Sequence, residues 1–274
     1  MDFIEVDRDK CNQDSICIAA CPSKLLYKNE EGFPVPVPDA GEMCIRCGHC
    51  VAICPTGALS HSRLKNHIFE SLDDSLKLTG EQCEYFLKTR RSIRAYKDKP
   101  VSRDKLERLI DTAKYAPTAR NSQGVRWLVV TGKEELRKYS GMVIDFFEII
   151  LKGEVSGISP NPHLKRIIDE QKAGTDHILR DAPCLVITYG SKENRLAQND
   201  CVIALSWLEL AATSIGLGCC WAGFFMTAAA HYSPLMEALL LPDGHQCFGA
   251  MMVGYPKFRY HKIPSKKEPK IIWR

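Results

Sequence analysis

The chain has 274 residues, of which 45% are hydrophobic and 26% charged, as in a folded globular protein, so a disordered or fibrous chain is excluded. This length allows one large domain or two small ones. The formal net charge of +4 is too small to indicate a nucleic-acid partner.

Charge is distributed unevenly along the chain. Residues 1–60 contain five Lys and Arg against nine Asp and Glu, a net charge of −4, whereas the other residues contain 32 against 24, a net charge of +8. This asymmetry indicates two modules with different partners. No apolar run approaches the ~18 residues of a membrane span. The start, MDFIEVDRDK, lacks the pattern of a signal peptide, so we expect a cytoplasmic protein that binds no membrane.

Seven of the 13 cysteines fall within the first 54 residues. An odd number of cysteines without an export signal argues against a disulfide framework, and clustered cysteines in a reducing compartment more often bind metal. The run Cys44-Ile-Arg-Cys47-Gly-His-Cys50-Val-Ala-Ile-Cys54-Pro55 has the bacterial iron–sulfur spacing C-x2-C-x2-C-x3-C-P. Zinc is the alternative, but a zinc site normally needs two separated C-x2-C pairs.

A second run of the same length precedes it, Cys11-Asn-Gln-Asp14-Ser-Ile-Cys17-Ile-Ala-Ala-Cys21-Pro22, in which Asp14 stands where the second cysteine belongs. The two runs resemble a two-cluster bacterial ferredoxin domain over residues 1–60. The resemblance implies one 4Fe–4S cluster held by Cys21, Cys44, Cys47 and Cys50, and a second cluster held by Cys11, Cys17 and Cys54 with Asp14 at its fourth iron.

Asp14 leaves the second cluster open to three interpretations, because a carboxylate is a harder ligand than a thiolate. Asp14 ligates the fourth iron, or that iron is open to an external ligand, or it is lost to leave a 3Fe–4S cluster. His49, between two ligands, is expected to be a surface residue.

The sequence predicts a polar linker over residues 61–80 and an α+β body over 81–274. Thr79, followed by Gln82, predicts a capping box at a helix start. Ser102 predicts the start of a second helix. The apolar face of that second helix would be formed by Leu106, Leu109, Ile110 and Ala113.

Three short β-rich runs, 127–131, 184–189 and 247–253, predict strands. The helix expected over 199–215 is apolar nearly all round, which is typical of a helix buried in a core or a subunit interface. Region 141–180 is a candidate substrate cap, with helix-like pieces interrupted by Gly153, Gly157, Pro160 and Pro162. The alternation of strands and helices predicts a sheet wrapped by helices.

Four segments of this body each carry a weak binding signal. Thr89–Arg94 offers three guanidinium groups and a hydroxyl, which suit a phosphate. Segment 116–123 has small and amide side chains that could lie against a flat heterocycle, and the glycines of 216–223 permit close backbone approach to a ligand. Segment 254–267 returns positive charge to the end of the chain. The adjacent Cys219 and Cys220 are expected to pack in the core rather than to bond.

In this order the four segments resemble the nitroreductase family of FMN enzymes, across about residues 84–274. The resemblance implies an α+β fold, an intertwined homodimer and FMN at the dimer interface. It assigns the flavin phosphate and ribityl end to Arg90, Arg91, Ser92, Arg94 and Lys267. It assigns the flavin ring to Pro117, Thr118, Ala119 and Asn121 of the other subunit and to Trp221, Ala222 and Gly223.

Two positions depart from the family pattern. Gly124 stands where a proline often follows the glutamine, and Arg259, Lys266 and Lys267 are alternatives for a phosphate contact that is often one arginine. The whole chain resembles nitroreductases with a ferredoxin domain fused at the N-terminus.

The fusion predicts an oxidoreductase that passes single electrons from iron–sulfur clusters to FMN and on to a small conjugated electrophile, such as a nitro compound or quinone. NAD(P)H or an electron donor protein would supply the electrons, and the resemblance assigns no catalytic side chain. An electron-transfer or redox-sensing flavoprotein without a committed substrate is the alternative. A specialised reaction such as dehalogenation is a third hypothesis.

Overall fold

The computed structural model of the protein describes residues 3–155 and 162–274. Its chain divides into two units: one contains the residues up to Lys77 together with Arg120–Ser122, and the other contains Leu78–Ala119 and Gln123–Arg274. Of the residues that interrupt the candidate cap, Gly157 and Pro160 lie outside the described residues. Within the described ranges, no helix combines the length and apolar character needed to cross a bilayer.

Short elements build the first unit around a small core. Its strands form two antiparallel pairs, β1 with β4 and β2 with β3: β1 Ile4–Val6, β2 Leu26–Lys28, β3 Pro34–Pro36 and β4 Leu59–His61. Its helices are α1 Ile16–Ala20, α2 Ala40–Met43 and α3 His49–Ala52. The buried core consists of Phe3, Ile4, Cys17, Leu25, Leu26, Ala40 and Leu59.

The first part of the predicted linker is folded into this unit. His61, the last residue of β4, pairs with Ile4 and is buried. A 3₁₀ turn at Ser62–Leu64 follows, and a second one at Asp74–Leu76 comes shortly before the end of the unit. These residues have a polar, loop-like composition, so no local pattern predicts a strand there. The burial of His61 depends on long-range pairing with β1.

The second unit is built on a four-stranded antiparallel sheet with strand order β5-β6-β8-β7. The strands are β5 Arg126–Val130, β6 Cys184–Ser191, β7 Gly218–Trp221 and β8 His245–Gly254. The helices are α4 Gly80–Thr89, α5 Arg103–Ala113, α6 Lys133–Leu151, α7 Pro162–Lys172, α8 Ala197–Ser214, α9 Gly223–His231 and α10 Ser233–Ala238.

Helices cover both faces of this sheet. Along β6, Leu185 and Ile187 belong to one buried cluster and Cys184 and Val186 to another, as expected when alternate side chains point to opposite faces. The first cluster includes residues of α6 and α9, and the second includes residues of α5 and α8. The predicted α+β fold, with a sheet wrapped by helices, is confirmed.

Of the two predicted helix starts, one has the expected capping hydrogen bonds and the other does not. The capping box forms, because the Gln82 N–H donates to Thr79 Oγ1 at 3.2 Å and the Thr79 N–H donates to Gln82 Oε1 at 2.9 Å. Ser102 precedes α5 as predicted, but its side chain makes no capping hydrogen bond. Strand β7 was not predicted, since it is short and starts at a glycine within a glycine-rich segment.

An extended segment is hydrogen-bonded to this sheet just after α4. The Ile93 N–H donates to the Cys219 carbonyl at 2.8 Å, and the Lys97 N–H donates to the Tyr255 carbonyl at 2.9 Å. Gly218 makes the approach possible, because a Cβ there would lie 2.3 Å from Ile93 Cγ1. The residues before and after Ile93 are thereby fixed on β7.

We expect Gly218→Ala to lower the free energy of unfolding by about 1–3 kcal/mol, the usual cost of overpacking a close contact. Urea denaturation followed by circular dichroism measures the change. Gly80→Ala is the matched control, because a Cβ there meets no atom within 4 Å, and it should change stability by less than about 0.5 kcal/mol. Equal stability of the two variants would contradict the close approach.

Candidate functional site

Four thiols of the first unit surround one cavity. Cys21, Cys44, Cys47 and Cys50 line it, and His61 is also part of the wall. Most of the other lining residues are apolar: Phe3, Pro22, Leu25, Leu26 and Ile45. Burial, with the neighbouring thiols adding to it, raises the pKa of Cys50 to about 11. Four sulfur donors around an apolar cavity fit an iron–sulfur cluster, whose ligands must be deprotonated when it binds.

A second set of donors lies around Cys17. Burial raises the pKa of Cys17, and the nearby charges of Asp14 and Cys54 act in the same direction. At Cys54 burial opposes ionisation, but hydrogen bonds from Thr56, Ala58 and Leu59 outweigh it and lower the pKa. The charges of Asp14 and Cys54 are therefore close enough to Cys17 to act on its thiol.

Asp14 itself is exposed, and its Oδ1 accepts the Ile16 N–H at 3.1 Å. Cys11 is half-buried, and its N–H donates to the Asp7 carbonyl at 3.0 Å. Among the described residues, no three His, Cys, Asp or Glu side chains converge as the ligands of a single metal ion do. His49 is exposed, as predicted.

Several hydrogen bonds reach the sulfur atoms of the first set. The Leu25 N–H donates to Cys21 Sγ at 3.4 Å, and the Arg46 N–H donates to Cys44 Sγ at 3.4 Å. His61 Nε2 lies 3.5 Å from Cys44 Sγ. Burial lowers the pKa of His61. His61 was not predicted as part of this site, because it follows Cys54 by seven residues and lies outside the cysteine spacing.

In the second unit, Arg90, Ser92 and Arg94 are connected by hydrogen bonds. Arg90 Nη1 pairs with Oε1 of the buried Glu209 at 2.8 Å and lies 3.5 Å from Ser92 Oγ. Arg94 is exposed, and its Nη1 lies 3.5 Å from the Ser92 carbonyl. Burial raises the pKa of Cys220, while the nearby positive charges of Arg94 and Arg90 oppose that rise. The structure therefore assembles guanidinium groups and a hydroxyl, a donor set that suits a phosphate.

Arg91 is used differently from its neighbours. Its Nη1 donates to the carbonyls of Lys88 at 2.8 Å and Arg90 at 2.6 Å, and its buried Nε has no hydrogen-bond partner in the described structure. It lines a surface groove with Thr89, Ile93, Lys97, Thr213, Gly216, Leu217, Gly218, Pro256, Lys257, Phe258, Arg259 and Tyr260. Because side chains alternate along an extended segment, Arg91 shares a face with Ile93 and not with Arg90 and Ser92.

The predicted ring-contacting loop is held from two sides. The Ala119 N–H donates to Oδ1 of the buried Asp200 at 2.9 Å, and the Gln123 N–H donates to Thr118 Oγ1 at 3.0 Å, while Pro117 is exposed. Asn121 belongs to the first unit, where its Nδ2 donates to the carbonyls of Ile45 at 3.2 Å and Arg46 at 3.1 Å. Its amide therefore holds the chain between Cys44 and Cys47.

Strand β7 leads into an open helix start. The strand ends at Trp221, the buried Ala222 donates its N–H to the Ala250 carbonyl at 3.0 Å, and α9 begins at Gly223. A Cβ on Gly223 would meet no atom within 4 Å, so the space beside this Cα is open. Lys267 lies in the exposed C-terminal segment, where no helix or strand holds it.

The vicinal cysteines at this strand are buried and free. Burial raises the pKa of Cys219 well above its usual range, so this thiol stays protonated. The predicted packing role of Cys219 and Cys220 agrees with this environment.

An antiparallel sheet wrapped by helices in one unit and clustered thiols in the other define an α+β protein with a candidate iron–sulfur centre. Residues 87–255 match the model of the nitroreductase family, and residues 3–55 match that of the 4Fe–4S dicluster domain. The chain belongs to the nitroreductase family and carries an N-terminal iron–sulfur domain.

Two relatives agree with this assignment, and one solved structure shares the fold. A putative NADH dehydrogenase/NAD(P)H nitroreductase of Archaeoglobus fulgidus is 27% identical over 177 residues, which cover 65% of this chain and 87% of the relative. An FMN reductase [NAD(P)H] of Bacillus subtilis is 30% identical over 176 residues, 64% of this chain and 66% of the relative. A Bacteroides fragilis nitroreductase with bound FMN has a TM-score of 0.56 at 24% identity, covering 69% of this chain and 97% of that one.

We expect Asp200→Ala to lower the free energy of unfolding by about 1–3 kcal/mol, because it leaves the Ala119 N–H without its acceptor. Asp200→Asn keeps an acceptor oxygen and should lose less than half as much. Thermal and urea denaturation of both variants measure the difference. If the two variants were equally destabilised, the charge of Asp200, and not its bond to the loop, would be what matters.

Proposed function

We propose that the protein is an FMN-dependent oxidoreductase in which electrons pass from two iron–sulfur clusters to FMN and on to a small conjugated electrophile such as a nitro compound or quinone. The main support is that one chain assembles two donor sets containing thiols in its first unit and a guanidinium–hydroxyl set in its second. NAD(P)H or an electron donor protein would supply the electrons, as the names of the Archaeoglobus and Bacillus relatives suggest for the nicotinamide.

The residues present fit FMN in kind. Arg90, Ser92 and Arg94 would hold the phosphate, since a phosphate dianion binds best to paired guanidinium donors. Glu209 orients Arg90 but leaves most of its five N–H donors free. The ring would lie against Trp221–Gly223, where Gly223 leaves open space. Pro117, Thr118 and Ala119, braced by Asp200, would line the ring from the partner subunit.

All of these flavin contacts are predictions from the resemblance, and at Arg91, Asn121 and Lys267 the structure shows either other hydrogen bonds or an exposed position. In the structure Arg91 donates to the carbonyl groups at the end of α4, and Asn121 donates to the carbonyl groups between Cys44 and Cys47. A flavin role for either residue would need those hydrogen bonds to be shared or exchanged.

Bound FMN would supply the exchange between one-electron and two-electron chemistry, which side chains cannot perform. The chain would bind the phosphate, orient the ring and exclude competing contacts. We assign no side chain as acid or base.

We further propose a homodimer, supported by the surface of α8. This helix is largely buried, yet Ile203 and Trp207 are 36% and 41% exposed. These side chains are one turn apart and therefore lie on the same face of the helix. A second copy of the chain would cover them.

Anaerobically purified protein should contain about eight iron atoms per chain, or about seven with a 3Fe–4S cluster, and about one FMN.

Arg94→Ala should reduce bound FMN at least about tenfold by removing a phosphate contact, while iron and sulfide stay unchanged. Arg108→Ala is the matched control, because this exposed arginine lies on α5. Flavin absorbance and iron and sulfide assays measure these quantities.

Zinc without iron in anaerobic preparations would overturn the cluster assignment, and full FMN content in Arg94→Ala would overturn the phosphate site.

Turnover separates the enzyme from an electron-transfer or redox-sensing protein. The reduced protein should reduce a nitroaromatic compound faster than free reduced FMN does, and an equal rate would favour the electron-transfer alternative.

Asp14→Cys should make the second cluster resistant to mild oxidation. An oxygen ligand holds iron less tightly than a thiolate, so the wild type should lose that iron first and show a 3Fe–4S signal while the all-cysteine cluster survives. Electron paramagnetic resonance (EPR) before and after oxidation compares the two proteins. Equal iron loss from both would mean that Asp14 is not a ligand.

A further inference from the structure

A buried histidine shares the cavity of the first thiol set. His61 ends β4 and faces inward with Leu59, whereas Ser60 between them is exposed. Its residue exposure is 3%, and its ring packs edge-on against Phe3, with the ring centroids 5.1 Å apart. The imidazole therefore has a fixed position in the wall of the cavity that Cys44 also lines.

Hydrogen bonding determines which ring nitrogen carries the proton. The Arg63 N–H donates to Nδ1 of His61 at 3.1 Å, as part of the 3₁₀ turn that follows β4. An imidazole nitrogen that accepts a hydrogen bond carries no proton, so the proton of the neutral ring is on Nε2. This nitrogen lies 3.5 Å from Cys44 Sγ, within the range of a hydrogen bond to sulfur.

We propose that His61 donates a hydrogen bond from Nε2 to Cys44 Sγ and raises the reduction potential of the cluster that Cys44 ligates. The inference rests on the proposed function, which makes Cys44 a cluster ligand. Reduction adds one electron, taken from the donor of the proposed function, and no bond breaks and no proton moves. A donor at a ligand sulfur stabilises the more negative, reduced cluster more than the oxidised one.

The side-chain bond adds to contacts that the backbone provides. The Arg46 and Leu25 N–H groups donate to sulfur through the main chain, so they persist in side-chain variants. The apolar wall strengthens each of these bonds, because a low dielectric reduces screening. His61 is thus the donor through which a side-chain substitution can tune this cluster.

The second donor set offers a matched control. Thr56 Oγ1 lies 3.6 Å from Cys54 Sγ, and Cys54 belongs with Cys17 and Asp14. Thr56→Val removes that hydroxyl and nearly preserves side-chain volume. Two substitutions in the same small unit should therefore shift two different clusters.

The test is an EPR-monitored redox titration of the full chain with its clusters. His61→Phe keeps a ring beside Phe3 but removes the donor. It should make reduction of the Cys44 cluster about tenfold less favourable, a shift of about 59 mV to lower potential for one electron. His61→Gln keeps an N–H donor, so its Cys44 cluster should stay close to the wild-type potential. Thr56→Val should change only the potential of the other cluster.

A second measurement detects the imidazole beside the cluster directly and does not depend on a shift in potential. With the imidazole nitrogens of histidine labelled with ¹⁵N, pulsed EPR of the reduced protein should show a nitrogen coupling that His61→Gln abolishes. Ring labelling matters because the backbone nitrogen of His49 lies next to Cys50 in the chain. His49→Gln should leave the coupling unchanged.

The outcomes separate this inference from the proposed function. Absence of iron and sulfide in the wild type overturns the cluster assignment itself. A loaded cluster that shows no imidazole coupling, an unchanged potential in His61→Phe, or equal shifts in the Phe and Gln variants overturns the role of His61. If His61→Phe loses its iron, the presence or absence of the imidazole coupling in the loaded wild type decides the question.

Discussion

The first unit depends on gathering thiols from distant parts of the chain around one cavity. Cys21 comes from the first cysteine run, and the other three thiols come from the second. Non-glycine residues with positive φ stand next to the candidate ligand residues in the chain: Gln13, Ser15 and Arg46. Such backbone conformations are uncommon for these residue types and persist when the surroundings enforce them. At Arg46 the turn directs an N–H at Cys44 Sγ, so the strained backbone serves the sulfur site.

The hydrophobic cluster of this unit is small, with seven buried residues among those that the structure describes. A domain of this size buries too little apolar surface to be strongly stable by itself. Cluster binding would therefore also contribute to folding, as in other small metal-binding domains. The second unit has no such need, since its sheet is buried on both faces and its candidate phosphate-binding segment is positioned by backbone contacts with β7.

Sequence reasoning reached the features carried by local spacing. The cysteine runs, the Thr79–Gln82 capping box and the apolar character of α8 are all visible over a few residues, and the structure bears out the last two. The direction of a side chain could not be predicted from the sequence. Arg90 and Arg91 are adjacent arginines, and they lie on opposite faces only because the segment is extended against β7. His61 required the pairing of β1 with β4, two strands at opposite ends of the unit, which no local pattern reveals.

The two donor sets differ in the atoms that surround them. The first is lined by apolar side chains and receives backbone N–H bonds, with an imidazole close to one sulfur. The second includes an exposed carboxylate and has a hydroxyl beside Cys54. Ligand type, solvent exposure and hydrogen bonds to sulfur are what set cluster potentials. If both sets hold clusters as proposed, their potentials differ, so side chains such as Asp14, Thr56 and His61 would decide which cluster holds the electron more strongly.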